Sequence, residues 1–294
     1  MAAEAASSVF VEDKGFIVGI INEKCVVHHA DEVGGELSNL RASDIMEPKI
    51  RYGSLSSSVR DSLEILNESK QDHLPILAYS SGAAVGDAEA PIKAEHAKVL
   101  DVTAIISAKQ IIGQFYFDTI GAFPEEMTSE ERFNLESEAL KALKLPTVKN
   151  LMKTKQQRSE EKGPLGTMVL NTLVEDEISV AEAIRQMNKY NKGSVAVMEI
   201  CRDVPILKGI VTEQDIVRRA LAIGLDVHET PVVEIMSCSN LATVTTKETL
   251  LSCAFKMVDC NVRHLPVVSP KGTHVLAMIS SKDVVAYFCE AWDK

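Results

Sequence analysis

The chain repeats itself, and this repetition limits the folds open to it more than any other feature of the sequence. Residues 15–48 align without a gap with residues 205–238. The glycines and methionines that match in this alignment are Gly19 with Gly209, Gly34 with Gly224, and Met46 with Met236. The first and last thirds of the 294-residue chain therefore contain an internal sequence repeat, which predicts a fold assembled from a repeated unit.

A shorter period lies inside the second copy. Residues 177–197 align with residues 247–267, and in both segments apolar residues recur at spacings of three and four before a short β-rich run. This pattern predicts a helix followed by a strand. Two further segments, 209–221 and 277–288, have the pattern of a strand, a turn and a helix. Each unit of roughly 60–70 residues is thus predicted to run strand–helix–strand–strand–helix.

The repeat divides the chain into four units and one connecting helix. Unit 1 lacks its opening strand and helix, and insertions interrupt unit 2 at 79–98 and unit 3 at 153–166. The predicted segments are unit 1 at 1–39, unit 2 at 40–117, a linker helix at 118–146, unit 3 at 147–224 and unit 4 at 230–290. We expect the linker helix to join the two halves and to pack on one of them.

Composition argues against several classes of protein. Apolar residues make up 46% of the chain and charged residues 25%, which is typical of a soluble globular protein. The net charge of −11 argues against general nucleic-acid binding, because phosphate backbones require a cationic face. The sequence holds no glycine-rich P-loop, no G-x-S-x-G turn and no H-E-x-x-H pair, so we do not expect an enzyme.

The cysteines and the hydropathy pattern bear on the compartment. None of the six cysteines forms a C-x-x-C pair, and free thiols beside an ample core are typical of a reducing compartment. No window reaches the roughly 18 uninterrupted apolar residues of a membrane helix, and no basic leader is visible. We expect a cytoplasmic protein without a membrane span. A mitochondrion, a plastid or a cilium, reached by a targeting step that the sequence does not reveal, stays open.

Several short motifs, taken in their order, resemble those of cystathionine-β-synthase (CBS) domains. They are DIM at 44–46, EIM at 234–236, RHLPVV at 263–268, GIVTEQD at 209–215 and ISSKD at 279–283. The resemblance covers nearly the whole chain apart from the linker helix and the insertions. It implies an α+β fold in which tandem CBS units pair into two Bateman modules, with two sheets face to face and helices outside.

The resemblance also implies a function. CBS pairs are regulatory modules that bind adenosine-containing ligands: an adenine nucleotide (AMP, ADP or ATP), with or without Mg²⁺, or alternatively S-adenosylmethionine. In ligand-binding members, a Ser/Thr-x-x-Asp pattern at the start of the last helix holds the ribose and phosphate. The chemistry suits this role, because a carboxylate accepts short hydrogen bonds from both ribose hydroxyls.

Carried over to this sequence, the pattern separates the two halves. The matching residues are Thr212 and Asp215 in unit 3, Ser280 and Asp283 in unit 4, Ser107 and Gln110 in unit 2, and Asn22 and Cys25 in unit 1. Only units 3 and 4 keep the acid, so the C-terminal pair is the predicted ligand site. The N-terminal pair is predicted to be structural.

The positions of basic residues also favour the C-terminal half as the ligand site. Arg263 and His264 stand where the family places a basic pair near nucleotide phosphates, whereas unit 2 has Asp72 in place of the arginine. The ligand-binding residues predicted from the resemblance are Thr212, Asp215, Ser280, Asp283, Arg263, His264, Lys282 and Arg218. No catalytic residue is predicted.

Two functions and two assemblies stay open at this point. The chain is either a nucleotide sensor that acts on a protein partner, as yet unidentified, or a scaffold subunit in which ligand binding is incidental or lost. Four units suffice for a self-closed, pseudo-symmetric monomeric disc, and a homodimer is the alternative. A cluster of Cys25, His28 and His29 would suit a soft metal, but exposed helix residues are the preferred interpretation because no fourth ligand is apparent.

Overall fold

The computed structural model describes residues 8–33, 37–69, 71–78, 102–120, 146–158, 173–201, 204–270 and 274–292. The predicted linker helix at 118–146 lies outside these residues apart from its two ends, and so do the insertion at 79–98 and most of that at 153–166. Within the described part of the chain, no helix has the length and apolar run that crossing a membrane requires.

The helices and strands follow one order through the chain. Unit 1 contains β1 (Ser8–Asp13), β2 (Phe16–Asn22) and α1 (Glu23–Glu32). Unit 2 contains α2 (Ala42–Ile45), β3 (Gly53–Ser54), α3 (Val59–Ser69), β4 (His73–Leu77), β5 (Val102–Ser107) and α4 (Ala108–Ile120). Unit 3 contains α5 (Val148–Arg158), β6 (Leu173–Glu175), α6 (Val180–Tyr190), β7 (Ser194–Cys201), β8 (Val204–Thr212) and α7 (Glu213–Arg219). Unit 4 contains β9 (Val244–Thr245), α8 (Leu250–Asp259), β10 (His264–Val268), β11 (Val275–Ser280) and α9 (Ser281–Trp292).

Units 2, 3 and 4 each form a three-stranded sheet of the same topology. The second strand lies in the middle, parallel to the first and antiparallel to the third. In unit 4, for example, Val267 pairs with Val244 of β9 and with Ala277 of β11. The described part of unit 1 contains the antiparallel pair of β1 and β2. The predicted strand–helix–strand–strand–helix order is therefore present in all three complete units.

Helix α6 illustrates how the local sequence sets these elements. Ser179 accepts a hydrogen bond from the backbone N–H of Glu182, and the Glu182 carboxylate accepts one from the backbone N–H of Ser179 at 2.9 Å. This reciprocal capping satisfies N–H groups that have no partner inside the helix. The buried stripe of α6 consists of Val180, Ala181, Ala183, Ile184 and Met187. The helix ends at Asn191, whose left-handed backbone (φ 50°) is repeated at the matching Asn261 of unit 4 (φ 53°).

Apolar clusters join the four units into a ring. Within each half the sheets face each other, as the family resemblance implied. The buried members of these clusters are Ile17, Ile20, Ile50, Tyr52 and Leu77 between units 1 and 2, and Ala196, Met198, Ile210, Val275 and Met278 between units 3 and 4. Between the halves, helices pack on helices. Helix α1 contacts α6 and α7, which joins units 1 and 3, while α3 and α4 contact α8 and α9, which joins units 2 and 4.

Each half contains the same close approach between a glycine and a methionine. Gly19 in β2 lies against the side chain of Met46, and Gly209 in β8 lies against that of Met236. A Cβ added at Gly209 would be 2.6 Å from Met236 Sδ and 2.9 Å from the backbone oxygen of Ser237, which is too close for either atom. The match predicted by the sequence alignment therefore has a steric cause in both copies.

We predict that Gly209→Ala lowers the free energy of unfolding by about 1–3 kcal/mol, the usual range for an overpacked interior. Urea titration followed by circular dichroism measures the change. In combination with Met236→Ala the loss should be smaller than the sum of the two single losses, because the Sδ overlap is removed. An unchanged unfolding midpoint for Gly209→Ala would contradict this description of the contact.

Candidate functional site

A cavity of about 240 Å³ lies where the four units meet. Every unit contributes to its lining: Lys24 from unit 1, Asp72 from unit 2, residues 191–194 and Glu213 from unit 3, and Arg263, His264 and residues 278–283 from unit 4. Unit 4 supplies the largest share, since the end of β11 and the start of α9 both reach the cavity. A molecule bound here would therefore contact both halves of the chain.

The unit 4 pattern lies at this cavity and is held in place by its own helix cap. The backbone N–H and the hydroxyl of Ser280 both donate to Asp283 Oδ2, at 2.8 Å each. In return, Ser280 Oγ accepts from the backbone N–H of Asp283 at 3.3 Å. The two side chains are thereby fixed at the first turn of α9, where the helix dipole favours a carboxylate.

The unit 3 pattern has the same cap but a different environment. Thr212 donates to Asp215 Oδ2 from its backbone N–H at 2.9 Å and from its hydroxyl at 2.6 Å. The other oxygen, Asp215 Oδ1, accepts from Ser237 Oγ at 3.3 Å and lies 3.4 Å from Arg219 Nη1. Asp215 is only 8% exposed and does not line the cavity. The two acids that look alike in sequence are therefore not equivalent in the fold.

Units 1 and 2 keep the cap without the acid. Gln110 Oε1 accepts from the backbone N–H of Ser107 at 2.8 Å and from its hydroxyl at 3.0 Å. In unit 1, Asn22 Oδ1 accepts from the backbone N–H of Cys25 at 3.0 Å. Capping of the last helix is thus common to all four units. The need for a cap explains, without any ligand, why a polar residue recurs just before that helix.

Two cations that line the cavity together with Ser280 and Asp283 form ion pairs with acids of the N-terminal half. Lys282 Nζ lies 3.0 Å from Asp72 Oδ1, and Arg263 Nη2 lies 3.5 Å from Glu23 Oε2. In the alignment Asp72 stands where unit 4 has Arg263, and a carboxylate at this position would repel a phosphate. The structure places it as the counter-ion of a lysine in the opposite half.

The remaining wall of the cavity brings His264 close to unit 3. A Cβ added at Gly193 would be 3.1 Å from His264 Nε2 and 3.4 Å from Glu213 Oε2. Gly193 is thus the point at which these two titratable side chains approach the backbone of unit 3. Any larger residue there would have to displace one of them.

Two acids in the cavity have shifted pKa values. Burial, together with the negative charge of Asp72, raises the pKa of Glu213 to about 7, although Arg263 and Lys282 oppose the shift. Burial would also raise the pKa of Asp72, but Lys282 and Arg263 outweigh it, so this pKa lies below the ordinary value. Asp72 is therefore ionised at neutral pH, while Glu213 is balanced between its two forms.

The eight predicted site residues separate into two groups. Those that line the cavity are Ser280, Asp283, Arg263, His264 and Lys282. Thr212, Asp215 and Arg218 lie elsewhere on unit 3, and a ligand role for them stays a prediction. Sequence reasoning missed Glu213 and Glu23 as parts of the central charge cluster. The repeat alignment held a signal for both, since each is the first residue of the last helix of its unit.

The residues considered for a soft metal do not share one environment. Cys25 is buried, which differs from the expected exposed position, whereas His28 is exposed. The third, His29, forms a hydrogen bond between its Nδ1 and the Cys25 backbone oxygen at 2.9 Å. Among the residues that the structure describes, no group of three or more His, Cys, Asp or Glu side chains is arranged to hold a metal ion.

Comparison with known proteins gives the family. The family model described as the CBS domain matches residues 172–222 and 232–290, which fall inside units 3 and 4. The mitochondrial CBS domain-containing protein CBSX3 of Arabidopsis thaliana is 34% identical over 108 residues, 36% of this chain and 51% of that protein. The chain thus spans about half the length of this curated relative.

Solved structures extend the likeness to nearly the full chain. A protein of Methanocaldococcus jannaschii, described as a candidate archaeal homologue of γ-AMPK, superposes with a TM-score of 0.58 at 14% identity, covering 96% of this chain and 88% of that one. An uncharacterized conserved protein of Pyrococcus horikoshii gives 0.52 at 15% identity, with 98% and 92% covered. At these identities the likeness establishes a shared fold alone. Residues 172–222 and 232–290 are therefore a pair of CBS domains, and unit 2 in the first half repeats the same order of helices and strands.

Proposed function

We propose that this protein is a non-catalytic regulatory subunit that binds an adenosine-containing ligand at the central cavity and passes the binding event to a protein partner. One observation carries the proposal. Ser280 and Asp283, together called the Ser280–Asp283 grip, lie on the wall of a cavity that all four units line. A ligand there meets a carboxylate suited to a ribose and, at the same time, residues of both halves.

The carboxylate of Asp283 supplies the recognition. Its place at the first turn of α9 presents it in a fixed direction, and a fixed carboxylate accepts hydrogen bonds from two neighbouring hydroxyls of a ribose. The apolar faces of Met278 and Ile279, which also line the cavity, suit a purine ring. The volume is that of a compact site, in keeping with a small ligand.

The ring supplies the means of transmission. Binding changes a partner's activity only if the ligand favours one arrangement of the units over another. Contacts to Lys24 of unit 1 and Asp72 of unit 2 give the ligand that differential interaction with the N-terminal half.

A scaffold is the second candidate, and the ion pairs favour it. The cations expected to hold phosphate are already paired with Asp72 and Glu23, so the ring is held together without a ligand. Under this function the chain gives shape to a larger assembly, and the Ser280–Asp283 cap serves only to start a helix.

Isothermal titration calorimetry with adenosine, AMP, ATP and S-adenosylmethionine separates the two candidates. We expect at least one of these to bind, and Asp283→Ala to weaken its binding 10- to 100-fold, about 1.5–3 kcal/mol, through loss of charged hydrogen bonds. Gln110→Ala is the matched control, since it truncates the equivalent residue of unit 2, and it should leave the affinity unchanged. Folded protein that binds none of the four compounds would leave the scaffold function.

The pKa of Glu213 predicts a pH dependence of stability. Its folded value of about 7 lies above its ordinary value of 4.5, so between these values the folded state binds more protons than the unfolded state. The contribution of Glu213 to the free energy of unfolding is therefore fully present below pH 4.5 and is lost as the pH rises through 7. We expect Glu213→Gln to gain stability relative to wild type, on the order of 2 kcal/mol, between pH 5 and pH 8.

Urea unfolding of both proteins at several pH values measures this difference. Glu182→Gln is a control of opposite sign, because hydrogen bonds from the backbone and hydroxyl of Ser179 hold the pKa of Glu182 below its ordinary value. Its stabilising contribution is lost only as the pH falls below 4.5, so Glu182→Gln should keep a constant gap to wild type between pH 5 and pH 8. A constant gap between wild type and Glu213→Gln across this pH range would show that Glu213 keeps an ordinary pKa.

A further inference from the structure

The cations beside the Ser280–Asp283 grip are already paired with acids of the other half. Lys282 pairs with Asp72 of unit 2 at 3.0 Å, and Arg263 pairs with Glu23 of unit 1 at 3.5 Å. These are the groups that a nucleotide phosphate would need. The N-terminal half thus supplies, within the same chain, the negative charge that a phosphate would otherwise bring.

Hydrogen bonds to the backbone hold Asp72 and its neighbours at the start of β4. Its backbone oxygen accepts from the N–H of Ala108 at 3.2 Å. Its neighbour Gln71 is 4% exposed, and the Gln71 side chain accepts from the N–H of Arg51 at 2.7 Å and donates to the backbone oxygen of His73 at 3.1 Å. The backbone of Asp72 is therefore anchored at the start of β4, which keeps its carboxylate within reach of Lys282.

Glu23 is held just as firmly. It is the first residue of α1, a helix that packs against α6 and α7 of the opposite half. Glu23 is 7% exposed, and its Oε1 has no hydrogen-bond partner among the described residues. Removing Arg263 from its other oxygen would leave a buried carboxylate without a counter-ion, which is strongly unfavourable.

A phosphate chain would therefore add charge to a site that already holds its full complement of acids. Asp72 stays ionised at neutral pH, and Glu213 and Asp283 face the same cavity. The cavity cations are Lys24, Lys192, Arg263 and Lys282. Of these, Lys282 and Arg263 are paired with Asp72 and Glu23, while Glu213 is balanced between its charged and neutral forms. A triphosphate would meet several fixed negative charges at short range, where little water screens them.

We infer that the cavity binds an adenosine derivative without a phosphate chain, that is, a neutral nucleoside or thionucleoside or a sulfonium cation, and that Asp72 is the residue that excludes ATP. The inference rests on the proposed function, because it names the ligand class of the same site. It assigns to the degenerate N-terminal half a part in ligand selection, through a residue that touches the cavity from unit 2.

The test is a calorimetric titration of the full chain with adenosine, 5′-methylthioadenosine, S-adenosylmethionine, AMP and ATP, the last with and without Mg²⁺. In the wild type we expect ATP to bind at least tenfold more weakly than the tightest compound without phosphate, with AMP between them. Asp72→Asn should reduce this ratio about tenfold, since it removes one fixed negative charge beside Lys282. Glu229→Gln, the same type of change at an exposed loop position, should leave the ratio unaltered.

The possible results are distinct. ATP binding as tightly as the compounds without phosphate, or more tightly, would overturn this inference and leave the proposed function standing. The same conclusion follows if Asp72→Asn binds normally but keeps the wild-type ratio. Absence of binding by every compound would overturn the proposed function and the inference with it. If Asp72→Asn does not fold, the wild-type ratio alone decides, because it is measured on the unaltered protein.

Discussion

Each unit has two apolar faces, and the ring depends on the burial of both. One face of the sheet packs on the neighbouring sheet of the same half, where Ile210 and Met278 meet. The helices present the other face to the opposite half, where Leu63 and Met257 share one core. A lone unit would leave both faces in water and a single pair would leave the helical face there, at a cost of about 25 cal/mol for each Å² of apolar surface. Pairs of units therefore associate with pairs, and the cavity lies where all four converge.

The order of helices and strands could be predicted because it depends on local spacing. The apolar stripe of α6, the cap at Ser179 and the turn at Asn191 are all encoded within a short stretch of chain. Contacts between units were a different matter. Lys282 and Asp72 lie far apart in sequence, and they pair because the helices of the two halves pack together. The spacing of apolar residues along the chain does not reveal such a contact. The alignment identified Asp72 as the residue that replaces the arginine of unit 4, but it could not show that this acid pairs with Lys282.

The candidate site shows why one motif can support two interpretations. Ser/Thr-x-x-Asp is a ribose grip by family resemblance and a helix cap by geometry, and the cap occurs in units 3 and 4 alike. Only the wider environment separates them. The second carboxylate oxygen of Asp215 accepts a hydrogen bond from Ser237 and pairs with Arg219, whereas Asp283 lines the cavity. The residues that make this distinction lie outside the motif, so the sequence pattern treats the two acids as equal.

The charge cluster at the centre links ligand chemistry to the contact between the halves. Acids come from units 1 and 2, and their partners come from unit 4, so each ion pair is also a bond across the ring. Under the proposed function, a ligand that leaves these pairs intact would add contacts to both halves and stabilise the ring. A polyanion that competes for Lys282 and Arg263 weakens the same bonds. Under the proposed function, the charge of the ligand would set the direction in which binding shifts the arrangement of the units, because a ligand moves an equilibrium only by its differential affinity for the two states.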